Sequence, residues 1–388
     1  IGHALVVGAS FAHESFDLDT GSLLRNADGT LVALPRMDLS NPDATWTGPV
    51  NYTLTGRSEG ELGNAAVYVF DTLSFNAQWM LNLGARYEDN RGSNASWTVV
   101  AAPALGAPAI PGIGTVTGKG PTLENHERLF SYRAGLVYKP TERGTVYLSH
   151  SNSQTPSKAS VNGACTALTC NVDPESASNI ELGTKWQLFG EHLALTAAVF
   201  RNTRENYKVA DFDPANPLLG EQTLDGRARV DGLTLGVAGQ VTRAWSVFAN
   251  ATFLDSEVLR SVSDFCLANP GQNGCTNTPA NPDPEAGLPI LQTPERSASL
   301  WTTYRVAADW VVGYGVTYQD RFRLAGANYS QAYTTHRAML GYTVNQALSL
   351  QLNVDNLLDE DYFIRVRNNG WATPGEARSA TLTATVAF

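Results

Sequence analysis

Residues 348–363 read LSLQLNVDNLLDEDYF, a run in which large aliphatic and polar residues alternate before the chain breaks into an acidic cluster. Successive side chains on a strand point to opposite sides, so Leu348, Leu350, Leu352 and Val354 share one face while Ser349, Gln351, Asn353 and Asp355 share the other. One such strand fits a half-buried soluble sheet as well as a membrane wall. The rest of the chain separates the two.

The alternation returns along the sequence. Trp79, Leu81, Leu83, Ala85 and Tyr87 oppose Asn82, Gly84, Arg86 and Glu88; Tyr132, Ala134, Leu136 and Tyr138 oppose Arg133, Gly135 and Lys139, with Val137 the one misfit. Trp310 to Tyr318 and Ala338 to Val344 repeat the pattern. Each run has about the ten residues that a tilted strand needs to cross the hydrocarbon layer. Short turns at 76–78, 140–144, 190–191, 242–244, 306–309 and 345–347 alternate with longer linkers at 16–55, 92–121, 153–175, 210–221, 257–293, 324–330 and 357–377. The linkers are rich in Gly, Pro, Asn and Ser, the composition of loops. Strict alternation of short and long connections gives about fourteen antiparallel strands, an even count as in transmembrane barrels.

Composition agrees. Of the 388 residues 43% are hydrophobic and only 16% charged, against roughly a quarter charged in ordinary soluble domains. The net charge of −10 and scattered Lys and Arg speak against a nucleic-acid partner. No apolar run approaches the roughly 20 residues of a membrane helix. A soluble barrel fills its interior with side chains at about eight strands, so fourteen would enclose water and turn the apolar face to lipid. A large soluble sandwich, propeller or solenoid is the competing reading, but neither a repeat period nor even loop lengths support it. The chain opens inside a strand-like pattern, IGHALVVG, and reads as a fragment or as the ordered part of a longer protein.

Several segments resemble one family. Asn353 to Tyr362 (NVDNLLDEDY), Pro374 to Arg378 (PGEAR) and a last strand that alternates up to Phe388 look like the end of TonB-dependent outer-membrane receptors. Ala177 to Trp186 (ASNIELGTKW), Ala66 to Asp71 (AVYVFD), Arg229 to Gly232 and Thr293 to Arg296 are similar to earlier signatures of the same family, so the resemblance covers most of the chain. Asn368-Asn369-Gly370-Trp371 and the mid-barrel segment are most similar to its ferric catecholate siderophore receptors. That resemblance implies an all-β, transmembrane antiparallel barrel in a Gram-negative outer membrane. About fourteen of twenty-two strands would lie within residues 1–388 as one domain, with the plug domain and first strands absent. It further implies binding and import of a ferric siderophore driven by the TonB–ExbB–ExbD complex, with iron as cargo and no intrinsic cofactor. Outer-membrane lipid and lipopolysaccharide would surround the barrel, and the assembly machinery would read Phe388 as an insertion signal. Uptake of another bulky ligand (cobalamin, haem, a carbohydrate) and a passive porin or adhesive barrel are the alternatives.

Candidate sites follow from chemistry. A ferric catecholate is anionic and aromatic, and calls for cations and aromatic faces. Arg321, Arg323, Tyr329, Arg365, Arg367 and Trp371 lie in or beside the late outer linkers, and Arg337, like Arg86 and Arg133, falls on the polar face. Taken singly, a residue of this kind is more often a lumen residue paired with a carboxylate or with the plug than a ligand contact. Cys165 with Cys170 and Cys266 with Cys275 form two close pairs inside long linkers and read as two disulfides; a shared metal site would need all four to converge. The acidic group Asp355, Asp359, Glu360 and Asp361 lacks the Gly and distal Glu of a calcium loop and reads as a turn cap. The six His show no metal-ligand spacing, and no nucleophile motif points to an enzyme.

Overall fold

The computed structural model describes residues 1–34, 45–163, 165, 170, 172–215, 222–367 and 371–387. Phe388 and the Asn368-Asn369-Gly370 segment lie outside the described residues. Among the described residues, fourteen antiparallel strands follow one another as a continuous meander, each bonded to its neighbour along this path. The first part comprises β1 (Gly2–Ser22), β2 (Thr53–Ser74), β3 (Trp79–Val99), a short β4 (Val116–Lys119) paired beside β3, β5 (Leu123–Thr141) and β6 (Gly144–Thr155). The middle comprises β7 (Glu175–Leu188), β8 (Leu193–Ala210), β9 (Gln222–Gln240) and β10 (Trp245–Arg260). β11 (Arg296–Arg305), β12 (Trp310–Gln319), β13 (Tyr333–Thr343) and β14 (Leu348–Asp355) continue the sheet, and β17 (Ser379–Val386) closes the series against β14. Outside this path, β15 (Phe363–Val366) and β16 (Ala372–Pro374) form a separate hairpin, and one helical turn, α1 (Asp264–Ala268), sits in the β10–β11 loop.

The register carries the sequence pattern across strands. Leu352 pairs with Leu340, and Leu340 with Val312, so one aliphatic row crosses β14, β13 and β12. On the opposite face Asn353 pairs with Met339 and Thr381, and Gln351 with Thr383. Each short turn lies where the composition places it, and three use the same device. Asn76 Oδ1 accepts from the Gln78 and Trp79 N–H groups at 2.8 and 2.9 Å. Asn345 Oδ1 does the same for Ala347 and Leu348 at 2.8 and 3.0 Å, and Thr242 Oγ1 for Ala244 and Trp245 at 3.3 and 3.1 Å. A side chain that mimics the turn carbonyl fixes the hairpin locally. Beside these turns the rings of Trp79 and Tyr138 lie 4.5 Å apart and those of Trp310 and Tyr342 4.3 Å apart, pairs worth about 0.5–1.5 kcal/mol each and placed as an interfacial girdle.

The strands are longer than the alternation indicates. β1 runs to Ser22 and β3 to Val99, well into segments that read as linkers. In this upper tier the outward face turns polar: Arg91 Nε lies 2.8 Å from Asp89, His126 Nε2 2.8 Å from the same carboxylate, and Arg57 pairs with Asp19 at 2.6 Å. The inner face there is polar too, with Asn64 donating to Asn90 at 2.7 Å. With both faces wet, hydrophobic alternation stops while the hydrogen-bonded ladder continues.

Candidate ligand-binding wall and mouth

On the polar face, large rings lie opposite glycines of the adjoining strand. Tyr68 pairs with Gly8, Tyr147 with Gly183 and Trp301 with Gly315. A Cβ at Gly8 would sit 2.4 Å from the Tyr68 ring, one at Gly183 2.3 Å from the Tyr147 ring, and one at Gly315 2.7 Å from the Trp301 ring. Only a residue without Cβ lets each ring lie flat on the backbone. A cation then stands over each ring. Arg86 is 5.7 Å from the Tyr68 centroid, Lys185 5.7 Å from Tyr147 and Arg337 5.8 Å from Trp301. Higher on the wall Arg204 stands 5.4 Å from Tyr207, which covers Gly226 in the same way. Such contacts contribute about 0.5–1 kcal/mol each when exposed. Acceptors hold parts of these stations in place: Tyr147 Oη donates to Glu181 at 2.6 Å, and Arg86 is bonded to Glu88. Sequence reading found the cations Arg86 and Arg337. The rings beneath them escaped it, because Trp301 meets Arg337 only through the intervening Gly315 of β12.

The late-linker residues separate into three groups. Arg321 stands 5.0 Å over the ring of Tyr329, which is 48% exposed. Arg365 and Arg367 are exposed on and beside β15, Trp371 is 74% exposed, and the Arg367 N–H donates to the Trp371 carbonyl at 2.7 Å. Arg323 departs from the expected ligand contact. It is 3% exposed, its guanidinium pairs with Glu285, and its Nη1 donates to the Pro289 carbonyl at 2.9 Å. A buried guanidinium needs such partners, so Arg323 ties the β10–β11 loop to the β12–β13 loop. Arg337 lies lower, on the wall itself.

Both cysteine pairs are disulfides, with Cα atoms 4.7 Å apart for Cys165–Cys170 and 5.5 Å for Cys266–Cys275. Beside the second, Ser263 caps the turn of α1 by accepting from the Cys266 N–H, and Asn277 Nδ2 donates to the Cys266 carbonyl at 2.7 Å. Near the first, the chain at Ser157 and Lys158 folds back onto the inner face of β3 and β5. The Ser157 N–H donates to Glu127 at 3.0 Å, and Lys158, only 1% exposed, donates from Nζ to the Val161 and Gly163 carbonyls at 3.0 and 3.1 Å. Gly92 makes room, since a Cβ there would meet the Lys158 side chain at 2.5 Å. Burial holds the Lys158 ammonium below the usual lysine range.

The acidic cluster after β14 is a cap. Asn356, 4% exposed with φ of 48°, donates to the Glu360 and Glu376 carbonyls at 2.9 and 3.0 Å and accepts from the Glu360 N–H at 2.9 Å. Asp359 accepts from the Arg378 N–H at 3.2 Å and faces its guanidinium at 3.3 Å. Tyr362 covers Gly375, and its ring lies 4.7 Å from Tyr333 at the end of β13.

A meander of this length, apolar on one face and lined by cation-and-ring stations on the other, forms the wall of a transmembrane β-barrel. Residues 6–357 match the family described as TonB dependent receptor-like, beta-barrel, and the chain belongs to that family. It is 30% identical over 405 residues to the catecholate siderophore receptor Fiu of Escherichia coli K12, covering 100% of this chain and 49% of that protein. It is 29% identical over 398 residues to the probable TonB-dependent siderophore receptor PiuA of Acinetobacter baumannii, covering 98% of this chain and 49% of that protein. The crystal structure of the ferric-catecholate import receptor Fiu from E. coli K12, in its closed form, superposes with a TM-score of 0.82 at 28% identity, over 100% of this chain and 52% of that one. The chain therefore spans about half the length of the relatives it matches.

Proposed function

We propose that the protein containing this chain is an outer-membrane receptor that binds a ferric siderophore of the catecholate type at its outer mouth and imports it with energy from the TonB–ExbB–ExbD complex. The observation that carries this reading is the array of cations over flat aromatic rings on the polar wall, together with Arg321 over Tyr329 at the mouth. An anionic ligand built of aromatic rings finds both complements in one such station: charge from the cation and a π-face from the ring. The relatives support the same ligand class, since Fiu and PiuA are siderophore receptors by name. Iron is then cargo carried inside the siderophore. Arg321, Tyr329, Arg365, Arg367 and Trp371 would touch the ligand, Arg337 would meet it deeper in the wall, and Arg323 would shape the loop that presents Arg321.

The test is a binding titration on the full-length, heat-modifiable receptor. Single exposed ionic contacts contribute about 0–1 kcal/mol, but a desolvated cation over an aromatic ligand reaches roughly 2 kcal/mol. Combining Arg321→Ala, Arg367→Ala and Trp371→Ala should weaken the affinity for a ferric catecholate by more than about tenfold. An unchanged Kd would place binding elsewhere in the receptor.

A further inference from the structure

Two outer loops interlock above the first strands. After β1, Arg25 and Leu31 pair across a tight turn in which the Gly29 N–H donates to the Asn26 carbonyl at 2.9 Å and Gly29 takes a φ of 83°. After β3, the Gly114 N–H donates to the Val100 carbonyl at 2.9 Å, and the Val100 N–H to the Thr115 carbonyl at 3.0 Å. The two turns meet through their glycines. A Cβ on Gly29 would sit 2.8 Å from the Ile113 side chain, and one on Gly114 3.0 Å from that of Thr53. Between them lies a cavity of about 220 Å³, walled by Thr53 to Thr55 at the start of β2 and by Leu31, Ala101, Ala102 and Ile113. Among the described residues Arg25 is the one charged member of this lining, and its Nε and Nη1 are shut off from water without an acceptor. Asp28, the carboxylate nearest in sequence, is already committed: its Oδ1 accepts from the Thr30 N–H at 3.0 Å and from the Thr30 hydroxyl at 2.6 Å.

We propose that this cavity is a binding site for a small monocarboxylate with a compact apolar body. It lies at the outer ends of β1 to β3, and the inference does not rest on which ligand the receptor imports. Charge selects the carboxylate. A guanidinium is always protonated and presents a planar fork of N–H donors, so one left without acceptors in a buried place is costly. Water does not screen its sealed side, and an anion in the cavity is attracted more strongly than it would be at an exposed arginine. The paired oxygens of a carboxylate match the fork. The walls select the body. Leu31, Leu54, Ala101, Ala102 and Ile113 offer only hydrocarbon side chains to the rest of the ligand. A phosphate would give up its hydration on every side against that hydrocarbon, with one cation in return. A ring or short chain that carries a single carboxylate gains from burial at the same walls.

The test uses the folded full-length receptor in detergent, with radiolabelled benzoate as the probe in equilibrium dialysis. Benzoate should bind, and benzamide, which has the same ring and no charge, should not compete. Arg25→Met should weaken benzoate binding by about tenfold or more, and so should Ala102→Phe, which fills the cavity and keeps the cation. Heat-modifiable migration reports that each variant is folded. A second readout separates a binding site from a structural arginine. Without benzoate, Arg25→Met removes an unpaired buried charge and should raise the urea midpoint of unfolding. Benzoate should raise the midpoint of the wild type and leave that of the variant where it is. A lower midpoint for Arg25→Met would mean that another part of the receptor pairs with the guanidinium, and would overturn the proposal. No benzoate on the wild type, equal binding by wild type and variants, or phosphate that displaces benzoate at equal concentration would overturn it as well.

Discussion

β3 and β14 are built on the same alternation but differ in height: 21 residues against 8. At about 3.3 Å per residue and a tilt of about 40°, they rise about 50 Å and about 20 Å, against an apolar band about 25 Å tall. β14 therefore stays within hydrocarbon, whereas β3 carries its ladder far above it. Its outward face changes from Leu81, Leu83 and Tyr87 to Asp89, Arg91 and Ser93 while the pairing with β2 and β5 goes on unbroken. Hydrogen bonding makes the strand, and solvent decides which residues decorate it. The low wall ends instead in loops tied by single side chains, Asn356 after β14 and Arg323 after β12.

The largest effect should come from charge placed on the two walls. Leu352→Arg puts a guanidinium in the hydrocarbon and should cost roughly 2–4 kcal/mol in urea unfolding of the full receptor in vesicles. Ser93→Arg, on the corresponding face of β3 between Glu61 and Glu124, should stay within about 0.5 kcal/mol of wild type. Equal damage would erase the difference between tiers.

A smaller effect is expected at the ring stations. Gly183→Val forces a Cβ into the Tyr147 ring and should destabilise by about 1–3 kcal/mol. Gly118→Ala, in β4 with open space around its would-be Cβ, should change stability by less than about 0.5 kcal/mol. Equilibrium unfolding of both variants checks the pair, and indifference at Gly183 would mean that the ring does not lie flat. Of similar size, Asn356→Ala removes the three hydrogen bonds that a buried side chain makes to two carbonyls and one N–H, and should cost about 1–3 kcal/mol. Hydrogen exchange at Glu360 should then speed up, and unchanged protection would contradict the cap.

The smallest effect concerns Lys158. Its folded pKa lies below that of the unfolded chain because burial disfavours the ammonium. The unfolded state therefore binds more protons, and stability rises as pH increases through the folded value toward about 10.5. NMR titration of methylated lysines should show Lys158 with a lower midpoint in the folded protein than in the unfolded chain. Coincident midpoints would mean that Lys158 does not fold into the wall.

How much was legible in the sequence follows from the same contrast. Leu348 to Val354 and Trp310 to Tyr318 announce their strands because each faces lipid on one side and water on the other. Gly92 to Val99 belongs to β3 all the same, but with polar residues on both faces it carries no period and reads as a loop. α1 and the β15–β16 hairpin escaped for a related reason: at 5, 4 and 3 residues they are shorter than any periodic signal. The disulfides were legible because each pair is local in sequence, at separations of 5 and 9 residues. The ring stations were not, since Tyr147 meets Lys185 only after β6 and β7 are in register. Arg323 and Arg321 are two residues apart and of one type, yet one is buried by Glu285 from a distant loop and the other stands over Tyr329.

The change of solvent along a single strand is tested most directly by nitroxide labels at Leu83, Ser93 and Arg86 of the full-length receptor in bilayers, comparing collisions with oxygen and with a water-soluble nickel chelate. Leu83 should favour oxygen, as a lipid-facing site does, while Ser93, on the same face ten residues higher, and Arg86, on the inner face, should favour the chelate. Oxygen-dominated collisions at Ser93 matching those at Leu83 would contradict the account, because the outward face of β3 would then meet lipid along its whole height.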